Sequence, residues 1–555
     1  MRVAHTSQTT LQRKLRALML LPVLTDAPRL TALRHWDGEH LGSLVGIAYQ
    51  PATLDKFARE LKYADVAGAM VEHCAAFWLS QADSVAGPIE GMAVLYADST
   101  TKPVWTHHFT KCAKVSGNGR VMPAISTTYL HTGPGTPLLF TTTSGTAPLS
   151  TTVSELLSSY EAIAGEQTAQ RLVVMDQGGY SVDLMKRLRD GGWQFIVPLK
   201  RSVVGPNAKF EGLTSWVPYN DAGDEVRSGQ LSLNDSKARN EALEVRVVAR
   251  RRHRTGNVAW YATLADNEQL PDAVVLDTYF ARWPLQEQRF RDGNGRVHLD
   301  SHYGYGKLEV NNVAVLDRIE TLTGQLRALD VRLAREQQAL ETLSDELSSV
   351  ALAIETASPS IEADRLALDD RMSQQPMNAS QQQEYLSLRL WEQWLVRRQQ
   401  QATLLRTKHA AAQRAIELHT VSQQRKRDEL QLVQSRTRIF TVDVALDQVM
   451  TALKLTFMNV CAVLMSQYLL GPTLELDTLI RGVLTLPGER EQTAGTETIR
   501  LYRTDRDRAL MERVAVACER LTTLQLTREG RRLYFELVHP PRRVGPVRGA
   551  PADTG

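Results

Sequence analysis

Residues 171–200, RLVVMDQGGYSVDLMKRLRDGGWQFIVPLK, decide the fold. The run LVVM is apolar without interruption, as in a strand buried on both faces, and it stops at Asp176. Gly178 and Gly179 supply a turn. YSVDLMKRLRD then reads as a helix closed by Gly191 and Gly192, and WQFIVPLK as a further strand. A strand, a helix and a strand in that order predict a parallel βαβ unit.

Working back from it, GMAVLYADS at 91–99 is a second apolar run that ends in an aspartate, Asp98. RVMPAISTTYLHT and TPLLFTTTSGT flank Gly-Pro-Gly at 133–135 and read as paired strands. VSELLSSYEAIAG is a helix ending near Gly165. The order is strand, strand, strand, helix, strand, helix, strand, which predicts an α/β core with a mixed sheet flanked by helices over 91–200. Residues 201–270 read as a β-rich insertion, and residues 271–311 as a helix-containing return to the core.

The rest of the chain is mostly helical. Residues 1–90 predict an α-helical domain, with a turn at Pro51 and a helix from Leu54; a DNA-binding helix-turn-helix and a plain support domain both fit. Leu326, Leu329, Leu333, Leu340, Leu343, Leu347, Val350 and Ile354 step by three and four, with Glu336 as the polar interruption. Together with a Gln- and Arg-rich segment from about 382, and a break over 355–381, they predict a long antiparallel helical hairpin or coiled-coil arm over 312–437. Residues 438–540 read as a buried apolar helix followed by strand, helix and strand, and residues 541–555 as a disordered basic tail.

Composition narrows the function. A chain of 555 residues needs several cores. Four cysteines with no C-x-x-C pair argue against a zinc knuckle or a disulfide scaffold and suit a reducing cytoplasm. The start lacks the apolar core of a signal peptide, and no long uninterrupted apolar window predicts a membrane span. The net charge is only +3, but affinity for DNA depends on local stripes such as Arg250, Arg251 and Arg252. Such a run reads equally as a solvated surface.

Two strands that each end in an aspartate bring carboxylates to one edge of a sheet. Like charges stay together there only if something cancels their repulsion, and a hard divalent cation with oxygen ligands does so. The plainer reading of either residue is a turn former or a helix cap.

With these residues in place, the chain resembles the transposases of bacterial insertion sequences that carry a ribonuclease H-like DDE core with a β-rich insertion. The similar stretches are YADSTTKPVW, the 171–200 block extended to Arg201, and YFARWPLQEQRFR followed by VHLDSHYGYG, together spanning roughly 90–310. The resemblance implies Asp98, Asp176 and Glu287 as catalytic acids holding two Mg²⁺ or Mn²⁺ ions. It also implies double-stranded DNA at transposon ends and target as partner, a homodimer in the DNA complex, and a bacterial, nucleoid-associated location. Arg282 is the expected phosphate contact and Tyr279 a DNA contact; Arg291, Arg296, Arg250, Arg251, Arg252 and Trp260 are further candidates, Trp260 as a base-stacking ring. The family spacing runs Tyr, two residues, Arg, three residues, Glu, six residues, Lys. Tyr279 and Arg282 fit it, but Gln286 stands where the glutamate belongs, Glu287 follows one residue late behind Pro284, and Asn294 replaces the lysine. A nuclease that does not join strands, or an inactive DNA-binding descendant, therefore remain open readings.

Overall fold

Strand β1 (Met92–Pro103) is the centre of the first structural unit. Its first six residues are buried on both faces, which is why they read as one apolar run. In this computed structural model the described residues are 7–25, 42, 44–47, 49–63, 66–80, 89–106, 108, 110–115, 119–145, 147–165, 170–234, 242–303, 306–374, 378–471, 474–505 and 507–541. The chain divides into one unit of residues 1–308 with 440–555 and a second of residues 309–439.

In the first unit, β1 is followed by β2 (Cys112–Lys114), β3 (Val121–Thr132), β4 (Pro137–Ser144), β5 (Gln170–Met175) and β6 (Trp193–Pro198). Strands β7 (Phe210–Glu211), β8 (Val217–Pro218), β9 (Glu225–Leu233), β10 (Leu243–Arg251) and β11 (Val258–Thr263) complete an eleven-stranded mixed sheet. Its order is β2-β3-β1-β5-β6-β11-β10-β9-β7, with β4 on β3 and β8 on β9. β1 runs antiparallel to β3 and parallel to β5, and β5 parallel to β6.

Two sequence expectations change here. β1 does not end at Asp98: it continues to Pro103 because β3 stays paired alongside it, through Pro103↔Ala124. The β-rich segment 201–270 is not set apart from the core, because β11 pairs with β6 at Tyr261↔Pro198 and Ala262↔Val197 and so extends the same sheet.

Helices of this unit before residue 285 are α1 (Gln8–Thr25), α2 (Pro51–Tyr63), α3 (Ala67–Leu79), α4 (Leu149–Ala164), α5 (Val182–Asp190) and α6 (Asp272–Arg282). One sheet face, carrying Leu95, Ala97, Val173 and Met175, packs against α3, α4 and α5. The opposite face, carrying Val94, Tyr96, Leu172 and Val174, packs against Val275 and Leu276 of α6. Such alternation is the period-two geometry of strands.

The second unit consists mainly of two helices, α7 (Val313–Gln374) and α8 (Ala379–Gln434), of 62 and 56 residues, packed on each other. The break expected over 355–381 is shorter than the sequence suggested. α7 passes through Pro359, and Ile361 and Leu368 beyond it are buried. Proline deletes one helical hydrogen bond, and the apolar seam that continues beyond it outweighs that loss. Pro376 lies outside the described residues. Glu336, the polar interruption of the heptads, faces His419 at 3.2 Å.

Strands β12 (Lys307–Asn311) and β13 (Arg438–Val442) pair with each other. Helix α9 (Ala445–Val463) returns to the core of the first unit, where it packs on α3. With its extension to Tyr468 it is apolar and long enough to cross a membrane, but most of it is buried inside the fold. A four-stranded sheet, β14 (Gly488–Gln492), β15 (Thr496–Tyr502), β16 (Thr527–Arg528) and β17 (Arg531–Val538), carries α10 (Arg508–Thr523). The tail from 542 lies outside the described residues.

Candidate active site

The pairing of β1 with β5 ends at Ala97↔Met175. The next residue on each strand is an aspartate, so Asp98 and Asp176 stand level on neighbouring strands, about 4.8 Å apart at the backbone. Both follow residues whose side chains alternate, so they belong to the face that α6 covers. At this level β5 leaves the sheet and β1 continues beside β3 alone, with Asp98↔Tyr129. The carboxylates therefore lie where one parallel neighbour has just ended.

Each carboxylate is set by local chemistry. Asp176 caps the short turn Gln177–Gly179, accepting from the Gly178 N–H at 2.8 Å. A Cβ on Gly178 would stand 2.9 Å from Asp176 Oδ1, so glycine is the residue that admits this carboxylate position. Asp98 accepts from the Ser99 N–H at 2.8 Å through Oδ1 and from Arg282 Nη1 at 2.9 Å through Oδ2. Arg282 closes α6, and its guanidinium lies 5.7 Å from the Tyr279 ring centre. The helix thus delivers a cation to the first aspartate.

Beyond Arg282 the helix widens. Trp283–Glu287 forms a π-turn in which the Gln288 N–H bonds to the Trp283 carbonyl, five residues back. Gln286 in this turn is fully buried. Its Nε2 lies 3.2 Å from His131 Nδ1 on β3 and 3.5 Å from the Tyr96 carbonyl on β1. Burial, and then the charge of Arg289, push the His131 pKa down to about 3. The ring is neutral, and its Nδ1 accepts from Gln286. The turn is therefore pinned to β1 two residues before Asp98. The Gly135 backbone also abuts it, since a Cβ there would lie 2.4 Å from the Leu285 carbonyl oxygen. The backbone of residue 287 ends this pinned turn; the Glu287 side chain lies outside the described residues. Among the described residues, no group of three or more His, Cys, Asp and Glu side chains is placed to share a metal ion.

The structure separates the remaining candidates. Tyr279 packs against Tyr261 at 4.7 Å and Phe280 at 5.4 Å, inside the cluster under α6. Arg250 is tied to Asp224 at 2.8 Å and lies over the Phe280 ring at 4.5 Å. The Asp224 carboxyl is held down at about 2 by the His253 N–H and then by Arg250. Arg251 bonds Glu225 at 2.7 Å and lies over Trp216. Of the basic run 250–252 only Arg252, at the β10–β11 turn, is exposed. Acids of the neighbouring strand and the turn before it pair with two of the three guanidiniums of the expected stripe. Trp260 is 7% exposed, stacked on Phe210 at 4.2 Å and 13°, and covered by Arg227. Packed this way, the ring keeps only part of its surface on the groove that opens beside Gln177. Arg291 is exposed and bonds Gln288 at 2.6 Å, and Arg296 pairs with Asp477.

Two features went unread in the sequence. Trp283, beside Arg282, is 65% exposed. A groove of about 230 Å³ starts at Gln177, next to Asp176, and its lining includes Arg201, Arg250, Arg252, Trp260 and Tyr261. Arg201 could have been found as the basic end of the strand-turn block that Asp176 opens.

No protein-family model matches the chain, and no curated protein matches it. Among solved structures, the cryo-EM structure of the piggyBac transposase synaptic complex with hairpin DNA is similar at a TM-score of 0.29 and 8% identity. The match covers 52% of this chain and 60% of that one, so the chain spans less than two thirds of that neighbour. A likeness so distant carries no weight in assigning a function.

Proposed function

We propose that the chain is a DNA transposase of the DDE type, with Asp98, Asp176 and Glu287 as its acids. The observation that carries this reading is the β1–β5 register, which sets Asp98 and Asp176 level at the point where β5 ends. The order of strands and helices around them supports a ribonuclease H-like core, and the pinned turn supports Glu287 as the third acid.

Two neighbouring carboxylates, with one guanidinium against the first of them, suit a hard divalent cation with oxygen ligands. Asp98, Asp176 and Glu287 would hold two Mg²⁺ or Mn²⁺ ions, whose chemistry is to activate an attacking oxygen and stabilise a leaving one at a phosphodiester. The protein's own groups do the rest. Arg282, held at Asp98 Oδ2, would contact a phosphate oxygen beside that carboxylate. Trp283 offers an open ring for base stacking, and Arg201 and Arg252 line the groove as a track for a DNA strand. Double-stranded DNA is the substrate, and a pair of chains acting on two DNA ends fits the need to cut both.

The test uses the full chain, Mn²⁺ or Mg²⁺, and duplexes taken from both flanks of its gene, with a supercoiled plasmid as target. Joined 3′ ends in the plasmid support the reading. Cleavage without joining favours a nuclease, and no metal-dependent cleavage with either ion sinks both.

A further inference from the structure

Strands β16 and β17 are joined by two residues, Glu529 and Gly530, both with positive φ. That tight turn sets Arg528 directly opposite Arg531. Like charges opposite each other on neighbouring strands repel. Arg13 and Arg16 of α1, three residues apart on one helix face, repeat the arrangement. The two like-charged pairs meet at the end of the sheet. Arg13 Nε donates to Glu529 Oε1 at 2.7 Å, and Arg528 Nη1 to the Leu44 carbonyl at 3.0 Å. Arg490 of β14 joins them, because it shares the buried Glu497 carboxylate of β15 with Arg528.

The charges at this junction do not balance. Among the described residues, Glu497 and Glu529 are the acids paired with these arginines, and five guanidiniums against two carboxylates leave a net charge of +3. A guanidinium does not shed its proton in a protein, so the repulsion is not relieved that way. Burial first, and then Arg490, hold the Arg528 pKa below its ordinary value; Arg16 and Arg13 add to this and Glu529 opposes it. Burial lowers Arg490 too, with Arg531 and Arg13 adding to it against Glu529. Donors remain for an anion. Arg531 uses Nε on the Thr493 carbonyl at 3.1 Å, which leaves its two terminal nitrogens. Arg16 is exposed and makes no ion pair among the described residues. A triple excess of positive charge calls for a multiply charged anion, and tetrahedral phosphate oxygens match guanidinium forks that approach from two elements.

We propose that the junction of α1 with the β14–β15 and β16–β17 hairpins binds a phosphate oxyanion, with Arg16 and Arg531 as its contacts and Arg13, Arg490 and Arg528 supplying the surrounding positive field. The phosphate is either free, as in a polyphosphate, or one group of a nucleic-acid backbone. Bound there, it ties α1 to the C-terminal sheet. The site uses neither Asp98 nor Asp176, and it stands whether or not the chain cuts DNA.

Two probes are titrated onto the full chain at constant ionic strength, with EDTA present and chloride as the reference salt: pyrophosphate, and a short DNA duplex of arbitrary sequence. The melting midpoint of the wild type is expected to rise saturably with pyrophosphate. Arg16→Gln and Arg531→Gln should each raise the midpoint in chloride alone, because a repulsion is removed, and weaken pyrophosphate about tenfold. Saturable pyrophosphate binding that these variants weaken supports a free phosphate as the ligand. A duplex whose affinity falls about tenfold in the same variants, without saturable pyrophosphate binding, supports a backbone phosphate instead. A midpoint that follows ionic strength alone, with duplex affinity unchanged in both variants, overturns the proposal. Variants that melt below the wild type in chloride overturn it as well, because the arginines would then be holding the junction together without an anion.

Discussion

Lys102 and Asp447 are both fully buried, and their contact joins β1, four residues past Asp98, to α9. Lys102 Nζ donates to Asp447 Oδ2 at 2.8 Å and to Thr451 Oγ1 at 3.0 Å, while Asp447 Oδ1 accepts the Tyr303 N–H at 3.0 Å. Removing one partner of such a pair costs about 3–5 kcal/mol, because a charge is left buried and unmatched. The two single substitutions are not equivalent. Asp447→Asn keeps the acceptor for Tyr303 but strands Lys102 beside Lys454, whose own pKa is pushed down to about 7 by burial and then by Lys102, and drawn up by Asp447. Lys102→Met leaves Asp447 with Lys454 as a substitute cation, so its cost falls near ~3 kcal/mol and that of Asp447→Asn near ~5 kcal/mol. Combining Lys102→Met with Asp447→Asn removes both charges and is expected to recover at least ~2 kcal/mol of the larger loss. Urea unfolding followed by tryptophan fluorescence reads this out; with a slope of about 3 kcal/mol per molar, Asp447→Asn shifts the midpoint by roughly 1.7 M. A Lys102→Met cost equal to or above that of Asp447→Asn, or a strictly additive double variant, refutes the reasoning.

Three further outcomes rest on single features. Gly178→Ala should lower metal-dependent cleavage at least ~10-fold with little change in melting temperature, because the added methyl meets Asp176 Oδ1; unaltered cleavage would show that the carboxylate position is unimportant. Deleting Pro284 should close the π-turn to an α-turn and leave a folded protein that still cleaves DNA, because the turn holds one residue more than an α-helix needs; loss of folding would show that the turn is required as it stands. For Lys454 the folded pKa of about 7 lies below its ordinary 10.5, so between these values the unfolded chain binds more protons and stability rises with pH. The melting midpoint of wild type relative to Lys454→Met should climb from pH 7 to 9, and a flat or falling difference contradicts the sign.

The parts of the fold visible in the sequence are those where burial acts along a few consecutive residues. MAVLYA and LVVM are continuous apolar runs because both their faces are covered, and each run ends where its carboxylate meets the open edge. The extension of β1 through STTKP was hidden because nothing local announces it: that half is held by β3, and by an aspartate 345 residues away that neutralises Lys102. The arginine run misled for a related reason. Asp224 and Glu225 are distant in sequence but reach Arg250 and Arg251 through the β9–β10 ladder, where Arg251 stands opposite Glu225. Trp260 is indistinguishable from a surface tryptophan until Phe210 is placed on it.

The shifted glutamate is the one anomaly of spacing that had a local cause. In a regular α-helix Gln286 and Glu287 would each advance 100° around the axis, and one extra residue after Arg282 would rotate every later side chain. A π-turn absorbs one residue without that rotation. Pro284 favours it here, since it has no N–H to offer the Phe280 carbonyl, which takes the Trp283 N–H instead. The extra residue is then free for another use, and the buried Gln286 amide takes it, fastening the turn to His131 and to the strand that carries Asp98. An extra residue inserted into a helix at random would destabilise it; one that is swallowed by a π-turn and pinned at its buried end leaves Arg282 and Gln286 each anchored to β1. The displacement in sequence is thus absorbed locally by the π-turn, and under the proposed function it displaces the third acid's backbone position less than the spacing implies.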